Sequence, residues 1–158
     1  MNPAKSRYWQ DLQIGETFTT DCLTISKQDI LEFATDFDPQ PYHLNSEAAD
    51  DSIFGGLCAS GWQVTALMMR LLTDSFVKRH IDLLGADGVA RLRWRKPVFA
   101  GDTLSSVITV SGRTAPSSDP RFGRIDCEVE VANQDGAAVI VLTTALLIGT
   151  GEGAVANG

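Results

Sequence analysis

Residues 61–85 read GWQVTALMMRLLTDSFVKRHIDLLG, and how this stretch folds decides the architecture of the whole chain. It is the longest helical candidate in the sequence. From Ala66 to Leu72 it is apolar on nearly every side except at Arg70. A surface helix shows one apolar stripe, whereas a helix apolar all round is wrapped by other elements. A central helix is expected, and the flanking segments must supply its wrapping.

Downstream, the pattern changes to strands. VARLRWR (89–95) alternates small or apolar residues with arginine, the period of two of a strand. KPVFAGDTL (96–104) carries a Gly-Asp turn. TLSSVITVSGRT (103–114), FGRIDCEVEVANQ (122–134) and AAVIVLTTALLIG (137–149) read as three long strands joined by APSSDPR and QDG. The pair Asp135-Gly136 is a strong hairpin signal. Upstream, TFTTDCLTI (17–25) reads as a strand. Ser26 is a good helix N-cap, with Asp29 in the first turn where a carboxylate complements the helix dipole. Ile30, Leu31, Phe33 and Ala34 form the apolar stripe of that short helix, which ends by Phe37 because Pro39 disfavours the α conformation at Asp38. SEAADD (46–51) reads as a helical turn. The layout is an α+β domain, one long buried helix against a curved antiparallel sheet.

The bulk numbers agree with one domain. The chain has 158 residues, 44% of them hydrophobic and 21% charged, enough to bury a core without disulfides or metals. The expected division is a single domain over 1–149 and a fraying tail over 150–158. A formal charge of −7 argues against nucleic acid or an anionic membrane as a partner. No apolar run reaches the roughly 18–20 residues of a bilayer span. MNPAKSRYWQDL lacks the apolar segment of a signal peptide, so a cytoplasmic protein is expected. Cys22, Cys58 and Cys127 are scattered and read as small buried hydrophobes; no metal-ligand spacing occurs.

DFDPQPYHLN (36–45) holds one of only two histidines. On a regular helix Asp38 and His43 would point about 140° apart. Fully extended, they would lie about 16 Å apart. Only a specific curled loop brings both to one small molecule, and Pro39 and Pro41 restrict the loop by fixing two φ angles. On local residues alone, a helix-ending turn capped by Asp38 is the stronger reading, since Asp-Pro turns are common.

Two further segments shift that balance. In FGGLCASGW (54–62), Gly55, Gly56 and Gly61 allow close backbone approach just where the central helix begins. Unpaired N–H groups there form a ready site for an oxyanion. The alternative is that these glycines only admit the helix to a tight core. In RLRWRKPVFAGD (91–102), Arg91, Arg93, Arg95 and Lys96 can receive the phosphates of a nucleotide-like carrier such as coenzyme A, or form a solvated face.

Taken together, an Asp-x-x-Pro-x-His loop after a short helix, Phe-Gly, a Gly-led buried helix and KPVFAGDTL resemble the MaoC-like dehydratases, over roughly Tyr8 to Ile148. These are (R)-specific enoyl-CoA hydratases and their relatives, with a hot-dog fold. The family loop usually reads Asp-x-Asn-Pro-x-His, so Gln40 departs from it. Ser60 stands where a histidine is frequent before the glycine.

The resemblance implies a sheet wrapped round the helix, a homodimer or higher homo-oligomer, and an acyl-CoA substrate with no separate cofactor and no metal. Asp38 and His43 would hold the reacting water. Gly55, Gly56, Ser60 and Gly61 would bind the thioester, and Phe54, Trp62 and Met68 the acyl chain, although for most of Trp62, Leu67, Met68 and Met69 plain core is the stronger reading. Arg93, Arg95 and Lys96 would meet the CoA phosphates. The expected reaction is reversible hydration of a 2-enoyl-CoA to the (R)-3-hydroxyacyl-CoA. The alternatives are an acyl-CoA thioesterase on the same fold, a silent acyl-CoA-binding module, or a structural dimerisation unit. The carrier-protein dehydratases fit less well, because their His-Phe-Pro-Gly stretch is absent.

Overall fold

The stretch that opens at Gly61 forms one helix, Gly61–Lys78, in the computed structural model, which describes residues 4–153. In chain order the elements are a 3-10 turn (Trp9–Asp11), β1 (Thr17–Thr19), β2 (Leu23–Thr24), α1 (Lys27–Phe37), α2 (Pro41–Leu44), α3 (Ser46–Asp50), α4 (Gly61–Lys78), β3 (Leu83–Trp94), β4 (Thr103–Thr114), β5 (Phe122–Ala132) and β6 (Ala138–Gly149). The helix α4 stops seven residues short of Gly85, the end of the helical candidate. At the stop, His80 adopts φ 55°, its N–H bonds Val77 O, and the N–H of Ile81 bonds Phe76 O. These are the two hydrogen bonds of a Schellman motif, with histidine in the left-handed position usually given to glycine. Ile81 and Phe76 are both buried beside it, the apolar contact that accompanies the motif.

The strands form one antiparallel sheet in the order β1-β4-β5-β6-β3, with β2 also pairing to β4. TFTTDCLTI, expected as one strand, is broken into β1 and β2. The three long strands fall where the alternation placed them. Leu104, Ile108 and Val110 on β4, Ile125, Cys127, Val129 and Val131 on β5, and Leu142, Leu146 and Ile148 on β6 are buried on one face. Gly136 takes φ +75° in the β5–β6 turn, where the Asn133 side chain accepts from the N–H groups of Asp135 and Ala137. The strand β3 begins at Leu83, six residues before Val89, and is irregular, with three register shifts against β6 and Arg91 at φ 53°. It ends the sheet order, so one of its edges has no partner among the described residues.

Into this curved sheet α4 presents Val64, Met68, Leu71, Leu72 and Phe76, all buried. Phe76 meets Phe18 of β1 edge to face at 5.4 Å between centroids. The opposite stripe of α4 is less covered than an all-apolar helix leads one to expect. Trp62, Ala66 and Val77 are exposed and Met69 is half-buried. At its N-terminus α1 has the expected cap: Ser26 Oγ accepts from Asp29 N–H and the Asp29 carboxylate accepts from Ser26 N–H. Of the tail expected over 150–158, Thr150 is held by Arg121 O and Pro120 O. Residues 154–158 lie outside the described residues. No described helix is long and apolar enough to cross a membrane.

Candidate active site

The site is built by the break between α1 and α2. Asp38 closes α1, its N–H bonding Ala34 O, and Pro39 prevents a further helical turn. The chain restarts at Pro41, the first residue of α2, a position where a missing N–H costs nothing. The segment 36–45 is therefore not one irregular loop, as expected, but two helix ends with a two-residue hinge. That hinge turns His43 back toward Asp38, and His43 Nε2 lies 3.4 Å from Asp38 Oδ2.

Two further groups fix the pair. Ser60 Oγ donates to Asp38 Oδ2 at 2.7 Å. His43 Nδ1 stands 2.6 Å from the carbonyl oxygen of Cys58. A carbonyl only accepts, so Nδ1 carries the hydrogen, and in the neutral ring Nε2 is left as an acceptor facing the carboxylate. His43 is buried at 5% exposure, with its ring 4.4 Å edge-on from Tyr42, and Tyr42 in turn 5.1 Å from Phe54. The Cys58 thiol lies 3.8 Å from Nδ1, and burial pushes its pKa up, which keeps it protonated and a poor nucleophile.

The pair opens into a pocket of ≈ 300 Å³. Of the expected residues, Asp38, His43, Phe54, Gly61, Trp62, Arg95 and Lys96 line it. The others are placed elsewhere. Gly55 (φ +67°) completes a turn with its N–H on Ser52 O, and Gly56 packs against Phe99, so neither reaches the pocket. Met68 is core: one turn beyond Val64, it lies among the buried side chains under the sheet. Arg93 borders two neighbouring grooves instead. Ser60 is fully buried, and its hydroxyl is committed to the carboxylate. For that reason it makes no side-chain cap at α4, whose first N–H groups lack the usual partner.

Sequence reasoning missed the Cys58 carbonyl, which no side-chain pattern reveals, and it missed Trp94. The indole of Trp94 lies directly on Gly61: a Cβ there would stand 2.5 Å from its Cε2. Gly61 thus makes room for Trp94 rather than for a ligand. Trp94 Nε1 donates to Thr65 Oγ1 at 3.2 Å, and Trp62 stands edge-on against it at 5.0 Å. Arg93 and Trp94 are consecutive in β3, so the period of two sends their side chains to opposite faces. That signal was present in the sequence.

The family model described as "MaoC like domain" matches residues 11–133. The uncharacterized protein YdeM of Bacillus subtilis is 34% identical over 100 residues, covering 63% of this chain and 70% of that protein. The (R)-specific enoyl-CoA hydratase of Rhodospirillum rubrum is 28% identical over 142 residues, covering 85% and 91%. A crystal structure of a MaoC-like dehydratase from Rhodospirillum rubrum superposes with a TM-score of 0.79 at 35% identity, covering 91% of this chain and 97% of that one. The fold is the hot-dog fold of these proteins.

Proposed function

The chain belongs to the MaoC-like domain family, and on that footing we propose that it adds water reversibly to a 2-enoyl-CoA, giving the (R)-3-hydroxyacyl-CoA, at Asp38 and His43. The observation that carries the reading is the hydrogen bond from His43 Nδ1 to Cys58 O. It leaves two acceptors, Nε2 and the Asp38 carboxylate, facing one another at 3.4 Å. One water can donate a hydrogen to each, which leaves an oxygen lone pair free to attack Cβ. As the carbon–oxygen bond forms, the carboxylate takes the water's proton and returns it to Cα, so hydroxyl and hydrogen both come from that water. General acid–base groups so positioned contribute about 10²–10⁴-fold.

Charge builds on the thioester oxygen during attack, and the uncapped first turn of α4, beside Gly61 on the pocket wall, supplies N–H groups and the positive dipole end to meet it. At the mouth, Arg95 and Lys96 are exposed, with Arg93 beyond them, and among the described residues none of the three forms an ion pair. Their charge and exposure support a role in receiving the CoA phosphates. The open edge of β3 and the exposed apolar stripe of α4 support a homodimer or higher homo-oligomer.

Crotonyl-CoA tests the reading, with loss of enoyl absorbance followed beside release of free thiol. Hydration without thiol release is expected, and Asp38→Asn and His43→Ala should abolish it while the proteins stay folded. Thiol release alone would make the protein a thioesterase. Folded variants with full hydratase activity would sink the proposal.

A further inference from the structure

The pocket wall is uneven. His43, Cys58, Ala59, Val64, Val98 and Val139 are buried, whereas Trp62, Trp94, Arg95 and Lys96 are exposed. The cup therefore has one open side, marked by the cations, and a floor made of Val64 from α4, Val98 from the segment after β3 and Val139 from β6. A thioester whose carrier leaves past Arg95 and Lys96, with its double bond at Asp38 and His43, must send its acyl chain toward the three valines.

That floor is rigid. Valine has essentially one side-chain rotamer on a helix, where leucine or methionine could swing aside. Behind it lies packed core: Met68, one turn along α4 from Val64, is buried at 2%. At ≈ 300 Å³ the cup lies at the small end of ligand pockets, which run from about 300 to 1,000 Å³, in keeping with a thioester carbonyl, a double bond and a few further carbons.

We infer that the substrate is a short-chain acyl thioester of the crotonyl to hexenoyl class, and that Val64 and Val98 are the residues that set this limit. The inference rests on the proposed hydratase site, which puts the double bond at Asp38 and His43 and the carrier at Arg95 and Lys96. Removing two methyls from Val64 opens the cup onto Met68, a side chain that can yield, and so gives a longer acyl chain somewhere to go.

The test compares kcat/KM on crotonyl-, hexenoyl-, octenoyl- and dodecenoyl-CoA for the native chain, Val64→Ala and Val98→Ala, each checked for a cooperative melt. A misfit methylene in an apolar pocket is worth about 10–200-fold. The native chain should lose at least about tenfold between hexenoyl- and octenoyl-CoA. Val64→Ala should shrink that gap by raising octenoyl-CoA and lowering crotonyl-CoA. Val98→Ala carries the same test if Val64→Ala fails to fold. Equal use of octenoyl-CoA by the native chain, or an unchanged ratio in the folded variants, would overturn the inference. If no enoyl-CoA is hydrated, calorimetry with butyryl- and octanoyl-CoA decides. A short-chain preference relaxed in the variants keeps the length limit and discards the hydratase; binding without preference, or no binding, discards the length limit.

Discussion

Ser60 Oγ donates to Asp38 Oδ2 across 2.7 Å, joining the residue before α4 to the residue that caps the end of α1. The hydroxyl occupies one carboxylate lone pair, fixes the carboxyl plane and is lost to the helix as a cap. A hydrogen bond to a charged group contributes about 1.5–3 kcal/mol. If the bond serves to aim the carboxylate, Ser60→Ala should lower kcat on crotonyl-CoA by about one to two orders of magnitude with little change in KM. Steady-state rates beside a melting curve check this. A variant whose Tm falls while kcat holds would make the bond purely structural.

The cations at the mouth give a second expectation. Replacing Arg95 and Lys96 together by alanine should raise KM for a CoA thioester by about tenfold or more, from the loss of charge-assisted phosphate contacts. The same double variant should act normally on an N-acetylcysteamine thioester, which has no phosphates. Equal losses on both substrates would place these cations at the reacting centre instead.

At Gly61, added bulk meets an indole. A Cβ 2.5 Å from Trp94 Cε2 forces the ring to move, and overpacking of this kind costs about 1–3 kcal/mol. Gly61→Ala should lower the urea midpoint and shift tryptophan emission. Adding Trp94→Leu to that variant should recover most of the stability. No recovery would mean that the backbone of Gly61, not its closeness to Trp94, is what matters.

Cys127 gives a pH dependence. Burial, with a smaller contribution from the Asp126 charge, pushes its thiol up to about 12. The unfolded chain loses that proton near the ordinary thiol value of 9.0, so between there and about 12 the folded state holds a proton that the unfolded state does not. Stability is then fully present below that window and falls as pH rises through it, by about 1.4 kcal/mol per pH unit from this group. Cys127→Val should flatten the alkaline limb of a stability–pH curve measured by urea unfolding; an unchanged slope would refute the assignment.

Much of this was legible because the signals were local. Ser26 and Asp29 start α1, Pro39 stops it, Asp135-Gly136 turns β5 into β6, and the alternation along 103–114 places β4 to the residue. What escaped notice depends on tertiary context. His80 ends α4 in a conformation that only glycine would have advertised. The start of β3 is hidden because Gly85 to Gly88 breaks the period of two. Asp38 and His43 could be paired on paper, but the hinge at Pro39–Gln40 and the return of α2 were not readable. Nor were the partners that fix them: a backbone carbonyl carries no sequence signature, and Ser60 was expected at the thioester rather than at the carboxylate. Met68 looked like pocket because the helix is apolar on both sides of it; its depth was decided by which face met the sheet.

The four groups of the proposed reacting centre, Asp38, His43, the Cys58 carbonyl and Ser60, all come from one run of chain between residues 38 and 60. None is borrowed across an interface. In any assembly of copies, an Asp38→Asn chain and a His43→Ala chain mixed and reassembled together should therefore not complement one another. Activity in mixtures with the native chain should fall in simple proportion to the fraction of native subunits.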